Sequence, residues 1–158
     1  MIRTAGLRLF VYGTLLDADL RRLVWGAADS LAPEPAYAAG WRAVHVPRQT
    51  YPMLRRAPMG GVHGLLLSAP SATAWCRLIA YEGKGYQLGR IMVINEAGQW
   101  EQAAVFLATH GAGIRNWCFD VWQRRHKRRS MVMVSRALRC RSSGSGGGGS
   151  VDDKIEGN

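Results

Sequence analysis

Two strand-like runs joined by four residues most constrain what this chain can fold into. Arg90–Asn95 and Trp100–Ala108 are rich in apolar and β-branched side chains. Glu96-Ala97-Gly98-Gln99 between them has hairpin length and a glycine suited to a positive φ. A chain reversed that tightly returns antiparallel to itself, so a purely parallel, doubly wound sheet is disfavoured.

Other segments fill in the domain. Leu7–Tyr12 reads as a short buried strand, because Phe10, Val11 and Tyr12 are strand formers. Asp17 has N-cap chemistry, and Leu20, Leu23, Val24 and Ala27 recur at helical spacing toward Asp29. Pro33 and Pro35 are expected to break what precedes them. Tyr37–Val46 follows as a strand, Pro47–Gly61 as a loop containing prolines and arginines, and Val62–Ser68 as a core strand. Ser71 caps a helix to about Tyr81. Ile114, Trp117, Cys118, Val121 and Trp122 fall at i, i+3, i+4, i+7 and i+8, which predicts an amphipathic helix. Cys76 and Cys118 lie on apolar helix faces and are expected in the core. Residues 130–141, with the apolar run Met131–Val134, fit either a last strand or further helical turns. The sum is a mixed α+β domain over residues 1–141.

Composition narrows the classes. The 158 residues suffice for one real core, and 47% hydrophobic content excludes a disordered chain. No apolar run approaches the roughly 20 residues of a membrane span. Met1–Gly6 lacks the apolar stretch of a secretory signal, and three dispersed cysteines (Cys76, Cys118, Cys140) without a CxxC pair predict a reduced, cytoplasmic protein. Ser142–Ser150 is a Gly/Ser linker and Val151–Asn158 an appended tail, so residues 142–158 stand apart from the domain. That tail carries a net −2, leaving +12 on residues 1–141 of a whole-chain +10. Arg124, Arg125, Lys127, Arg128 and Arg129 concentrate the charge. They read as a solvated helix end whose cations suit the helix dipole. A nucleic-acid surface would need interleaved aromatics or a reading helix, so nucleic acid is not the expected partner. Salt-dependent association through that cluster is the minor alternative.

Two segments carry chemistry. Tyr12-Gly13-Thr14-Leu15 breaks a buried strand at a glycine ahead of the Asp17 helix, where consecutive amides can bind an anion. It is neither GxxxxGK(S/T) nor GxGxxG. Glu82 follows Trp75, Leu78 and Ile79 at i+7, i+4 and i+3, so a helix reaching that far turns its carboxylate to an apolar wall and raises its pKa. The alternative is a helix that frays at Tyr81 and leaves Glu82 in water. His45, His63, His110 and His126 have no ligand spacing, so no metal site is expected. Nucleophile signatures such as GxSxG are absent.

Phe10–Leu15 as FVYGTL, with Tyr81-Glu82-Gly83 and Tyr86 downstream, resembles the gamma-glutamylcyclotransferase-like family. Gly40-Trp41-Arg42, Tyr51-Pro52 and Val62-His63-Gly64 fall in the family's order, and the resemblance covers most of residues 7–123. It implies a small mixed, mainly antiparallel β-barrel flanked by helices. Tyr12, Gly13, Thr14 and Leu15 would hold a glutamyl head group and Glu82 would be the general base. Tyr86 would either donate a hydrogen bond to substrate or pack in its strand. The implied reaction cyclises a γ-glutamyl amine or amino acid to 5-oxoproline, releasing the amine without a cofactor. Two positions depart from the family pattern: Ile79-Ala80 replaces an acidic residue before the Tyr-Glu pair, and Leu88 replaces a base, with Arg90 nearby. A non-catalytic binding or regulatory protein with the same fold is the alternative, and the leaving amine and oligomeric state are open at this level.

Overall fold

A computed structural model of the chain describes residues 6–26, 32–111 and 113–142. Five strands close into a barrel in the order β1-β3-β2-β4-β5. They are β1 (Leu9–Val11), β2 (Glu34–His45), β3 (Pro52–Leu67), β4 (Tyr86–Ile94) and β5 (Trp100–Ala108). Every neighbouring pair is antiparallel except β1 with β5, which meet in parallel at Leu9 and Ala104. Helices α1 (Ala18–Trp25), α2 (Ala72–Glu82), α3 (Phe119–Arg125) and α4 (Lys127–Ser142) flank it. None among the described residues is long and apolar enough to cross a membrane.

Alternation along the strands sorts their side chains into two cores. Phe10, Tyr12, Leu66, Val93, Ala103 and Val105 belong to a cluster drawn from the strands and their ends, and fill the barrel. Leu9, Val11, Leu67, Ala104 and Phe106 point outward and pack with Leu20, Val24, Leu78 and Trp122. β1 is buried on both faces, so its three residues show no polar alternation.

Several segments differ from the sequence expectation. Residues 47–61 are not one loop: β3 starts at Pro52, and Trp41–His45 pair with residues 56 down to 52. Backbone pairing extends this hairpin where side-chain pattern is silent, and a register shift between Ala39 and Trp41 absorbs residues 57–60 as a bulge. Pro35 lies inside β2, paired with Leu65; β4 meets β2 only at Tyr37, so Pro35 has one strand neighbour. The helix expected from Ile114 begins at Phe119. Asn116 instead bridges Val44, and the Trp117 amide donates to the Ala43 carbonyl at 3.0 Å, so the chain before α3 runs along β2. Ile114 is exposed, whereas Trp117 packs into the buried apolar cluster with its indole N–H donating to the Thr50 carbonyl at 2.9 Å.

Cys76 and Cys118 are exposed free thiols rather than core residues. α2 buries Ala74 and Leu78, which puts Cys76 on the opposite side, while Cys118 is the extended residue before α3. Residues 130–141 are helical, within α4. The basic cluster straddles a break at His126. Arg124 and Arg125 close α3, but Lys127 opens α4 and is not a solvated cation. It pairs with buried Asp17 at 2.8 Å and with Asp19 at 2.7 Å. Ala27, Asp29 and the stretch from residue 143 onward lie outside the described residues.

Candidate active site

The strand-to-helix turn after β1 is built for close approach. Tyr12 donates its hydroxyl to the Phe106 carbonyl at 2.8 Å. Residues Thr14–Leu16 then form a single 3-10 turn, closed by Leu16 N–H to Gly13 O at 3.0 Å and Asp17 N–H to Thr14 O at 3.1 Å. The amides that open such a turn, those of Thr14 and Leu15, have no partner within it. The buried Arg21 guanidinium donates to the carbonyls of Leu15 and Leu16 at 2.9 and 2.7 Å, holding those oxygens back. Gly13 is required by space rather than by handedness: its φ is −120°, but a Cβ there would lie 2.8 Å from Pro52 Cγ.

Asp17 anchors the turn. One carboxylate oxygen accepts from the amides of Asp19 and Leu20, both at 3.1 Å, capping α1. The other accepts from Gln123 at 3.0 Å and from Lys127 at 2.8 Å, tying in α3 and α4. Burial alone would raise this carboxyl, but the bonds from Lys127, Gln123 and the Leu20 amide together hold it below the usual carboxylate range.

Glu82 is the last residue of α2. Gly83 stops the helix there, at φ 67° and ψ −163°, a conformation that side-chain-bearing residues rarely adopt. The helix therefore does not fray at Tyr81. The apolar stripe is centred differently from the expected one, since Ile79 is 54% exposed while Leu78 is fully buried. Arg77, Ala80, Tyr81 and Glu82 are the α2 residues that face a cavity of about 440 Å³.

All six residues singled out in the sequence, Tyr12, Gly13, Thr14, Leu15, Glu82 and Tyr86, line that cavity. Glu82 as a whole is half-buried because the cavity borders it, and desolvation pushes its carboxyl up to about 8. Burial, then the nearby Glu82 charge, raises the phenols of Tyr12 and Tyr81, so both stay neutral. Tyr86 is raised by burial first, with Tyr12 and Glu82 adding to it. Tyr81 shares a 2.7 Å hydrogen bond with the Thr14 hydroxyl, joining the end of α2 to the turn. Tyr86 donates to the Pro52 carbonyl, and its ring tilts against Tyr51 at 5.8 Å.

Sequence reasoning missed part of the wall. Tyr51, Pro52, Arg77, Trp122 and, from α4, Ser130, Met133, Val134, Ala137 and Leu138 also line the cavity. Tyr51-Pro52 was visible as a motif without a role. The α4 residues follow i, i+3, i+4, i+7, i+8, a stripe hidden because serine and alanine occupy two of its five places. The cavity thus gathers one desolvated carboxyl, neutral phenols, and Thr14 and Leu15, whose amides have no partner within their turn. That set can bind an anion and move a proton beside it.

Residues 9–124 match the family model described as gamma-glutamyl cyclotransferase, AIG2-like. The chain belongs to this family. AIG2-like protein A from Arabidopsis thaliana is 22% identical over 144 residues, covering 89% of this chain and 86% of the relative. A protein from Arabidopsis thaliana solved in solution superposes with a TM-score of 0.62 at 20% identity, over 89% of this chain and 95% of its own. A solved gamma-glutamyl cyclotransferase gives a TM-score of 0.58 at 16% identity, over 68% of this chain and 69% of its own. The five-stranded mixed barrel with flanking helices is the gamma-glutamyl cyclotransferase-like α+β fold. In this AIG2-like chain α4 lies wholly past residue 124, outside the matched segment, yet supplies five residues to the cavity.

Proposed function

We propose that the protein is a γ-glutamyl cyclotransferase that converts a γ-glutamyl amine or amino acid to 5-oxoproline and the free amine. One observation carries the reading: a single carboxyl raised to about 8, Glu82, shares a cavity with Thr14 and Leu15, the residues whose amides open the 3-10 turn. The substrate α-carboxylate takes those amides. Its α-ammonium then meets Glu82, and the adjacent positive charge lowers the carboxyl toward ionisation. Glu82 accepts one ammonium proton. The freed amine attacks the γ-carbonyl carbon, a C–N bond forms, and the five-membered ring closes. As the original amide C–N bond breaks, Glu82 gives that proton to the departing nitrogen; the ring nitrogen then loses its second proton through Glu82 to the released amine, which leaves as an ammonium ion. Attack is intramolecular, and holding the carboxylate and amine in place supplies much of the rate. Tyr86, its proton engaged by Pro52, offers the cavity an oxygen that can accept from the ammonium.

Incubation with a panel of γ-glutamyl amines and amino acids is expected to yield 5-oxoproline. Glu82→Gln should lower turnover by roughly 10²–10⁴-fold while an uncleavable analogue still binds. Full activity in that variant would remove Glu82 from the mechanism. Analogue binding without 5-oxoproline from any substrate would favour a binding protein on the same fold.

A further inference from the structure

Two motifs of the sequence, Gly40-Trp41-Arg42 and Val62-His63-Gly64, take no part in the site built on Glu82. The fold brings them together. His63 pairs with Tyr37 across the β2–β3 ladder, and Tyr37 precedes Arg42 by five residues. An odd interval puts two residues on opposite faces of a regular strand. The register shift between Ala39 and Trp41, where Gly40 takes a φ of 79°, resets that alternation. Arg42 and His63 consequently line one cavity, a second one of about 410 Å³ that shares Tyr12 with the first.

Its chemistry differs from that of the first cavity. Asn116 lines it beside Arg42 and His63, and no lining residue is acidic. All three side chains are exposed, and among the described residues none has a hydrogen-bond or ion-pair partner. His63 touches Tyr37 through its ring alone, at 4.9 Å. Trp117 and Phe119, with rings 6.2 Å apart, add aromatic wall. Gly60 and Gly61 leave bare backbone on the β3 side. A Cβ on Gly60 would lie 2.7 Å from the Trp41 carbonyl oxygen, and one on Gly61 would strike the Tyr37 ring. An anion held by exposed side chains alone gains little. An anion with a hydrocarbon body gains from the rings as well.

We propose that this cavity is a second ligand site, for a small amphipathic anion: a carboxylate carried on an aryl or alkyl body. The hydrocarbon lies against Trp117 and Phe119. The carboxylate accepts from Arg42, with His63 and Asn116 as further donors. The site stands independently of the cyclotransferase reading, since Glu82 does not line it.

Titration calorimetry of the full chain with 3-phenylpropionate, its neutral isostere 3-phenylpropionamide and acetate tests this. 3-Phenylpropionate is expected to bind saturably, at least about tenfold more tightly than the amide. It should exceed acetate by at least about tenfold as well. Arg42 is exposed and unpartnered, so Arg42→Gln is expected to fold normally and to weaken 3-phenylpropionate about tenfold or more. Arg128→Gln, an equal change of charge on α4, should leave that affinity unaltered. Undiminished binding in Arg42→Gln would seat the acid elsewhere, the first cavity included, and overturn the proposal. Equal weakening in the two variants would reduce it to non-specific charge attraction and overturn it too. Equal affinity for acid and amide removes the anion, equal affinity for 3-phenylpropionate and acetate removes the aromatic wall, and no saturable binding at millimolar concentration removes the site.

Discussion

Burial that raises the Glu82 carboxyl to about 8 suits it to exchange a proton near neutral pH, and also penalises the folded state whenever it is ionised. The folded chain holds this proton more tightly than the unfolded chain, whose carboxyl titrates near 4.3. Stability from this group is therefore full below about pH 4, falls as pH rises, and levels off above about 8. Glu82→Gln should abolish that slope and be more stable than wild type at pH 9, by an amount on the order of a few kcal/mol. Thermal unfolding of both proteins at pH 5 and pH 9 checks this; an equal gap between them at the two values would refute it. In the same pH range kcat/KM of the free enzyme should rise to an inflection near 8. The spacing of Trp75, Leu78 and Glu82 made a desolvated carboxyl legible in sequence. Whether the helix reached Glu82 was not, because that depends on the left-handed Gly83 and on the Thr14 contact made by Tyr81 from a distant loop.

The 3-10 turn and α4 are the elements that make the site, and they differ in how far sequence exposed them. The turn was legible, since a buried strand, a glycine and the Asp17 cap follow one another within eight residues. What Gly13 is for was not, because the crowding atoms belong to Pro52. Gly13→Ala must push the turn and the start of β3 apart. We expect it to lower the unfolding temperature by roughly 3–10 °C and to raise KM more than it lowers kcat. A variant with wild-type KM would mean that the turn does not hold substrate. α4 stayed ambiguous because Ser130 and Ala137 dilute its stripe and the arginines between mask its amphipathic character. The helix expected from Ile114 to Trp122 failed over its first five residues for the converse reason. Its spacing was right, but backbone pairing to β2 at Val44 and Ala43 captured the segment.

Closure of the barrel sets the cavity, and one side-chain cluster marks the seam. Arg8, just before β1, makes a two-pronged pair with Glu101 of β5 at 2.7 and 2.5 Å and reaches Glu34 of β2 at 2.5 Å. Hydrogen bonds from Arg8 come first among the causes that hold both carboxyls below their ordinary range. With folded-state values depressed, their stabilisation is present above about pH 4 and is lost as pH falls through the lowered values. Arg8→Met should therefore be less stable than wild type at pH 6, with the difference shrinking toward zero by pH 2. Urea midpoints across that interval measure it, and a pH-independent difference would locate the effect in packing instead. The strands, the 96–99 hairpin and the Asp17 and Ser71 caps were fixed by the chain itself, because period, capping chemistry and turn residues are local, while the pairing of the Gly13 turn with Glu82 was legible only through the family resemblance. Barrel closure through the parallel β1–β5 contact, the extension of β3 back to Pro52, the exposure of Cys76 and the recruitment of α4 to the cavity wall were decided only in three dimensions. Each depends on which backbone or side chain distant segments supply, and no local pattern encodes that.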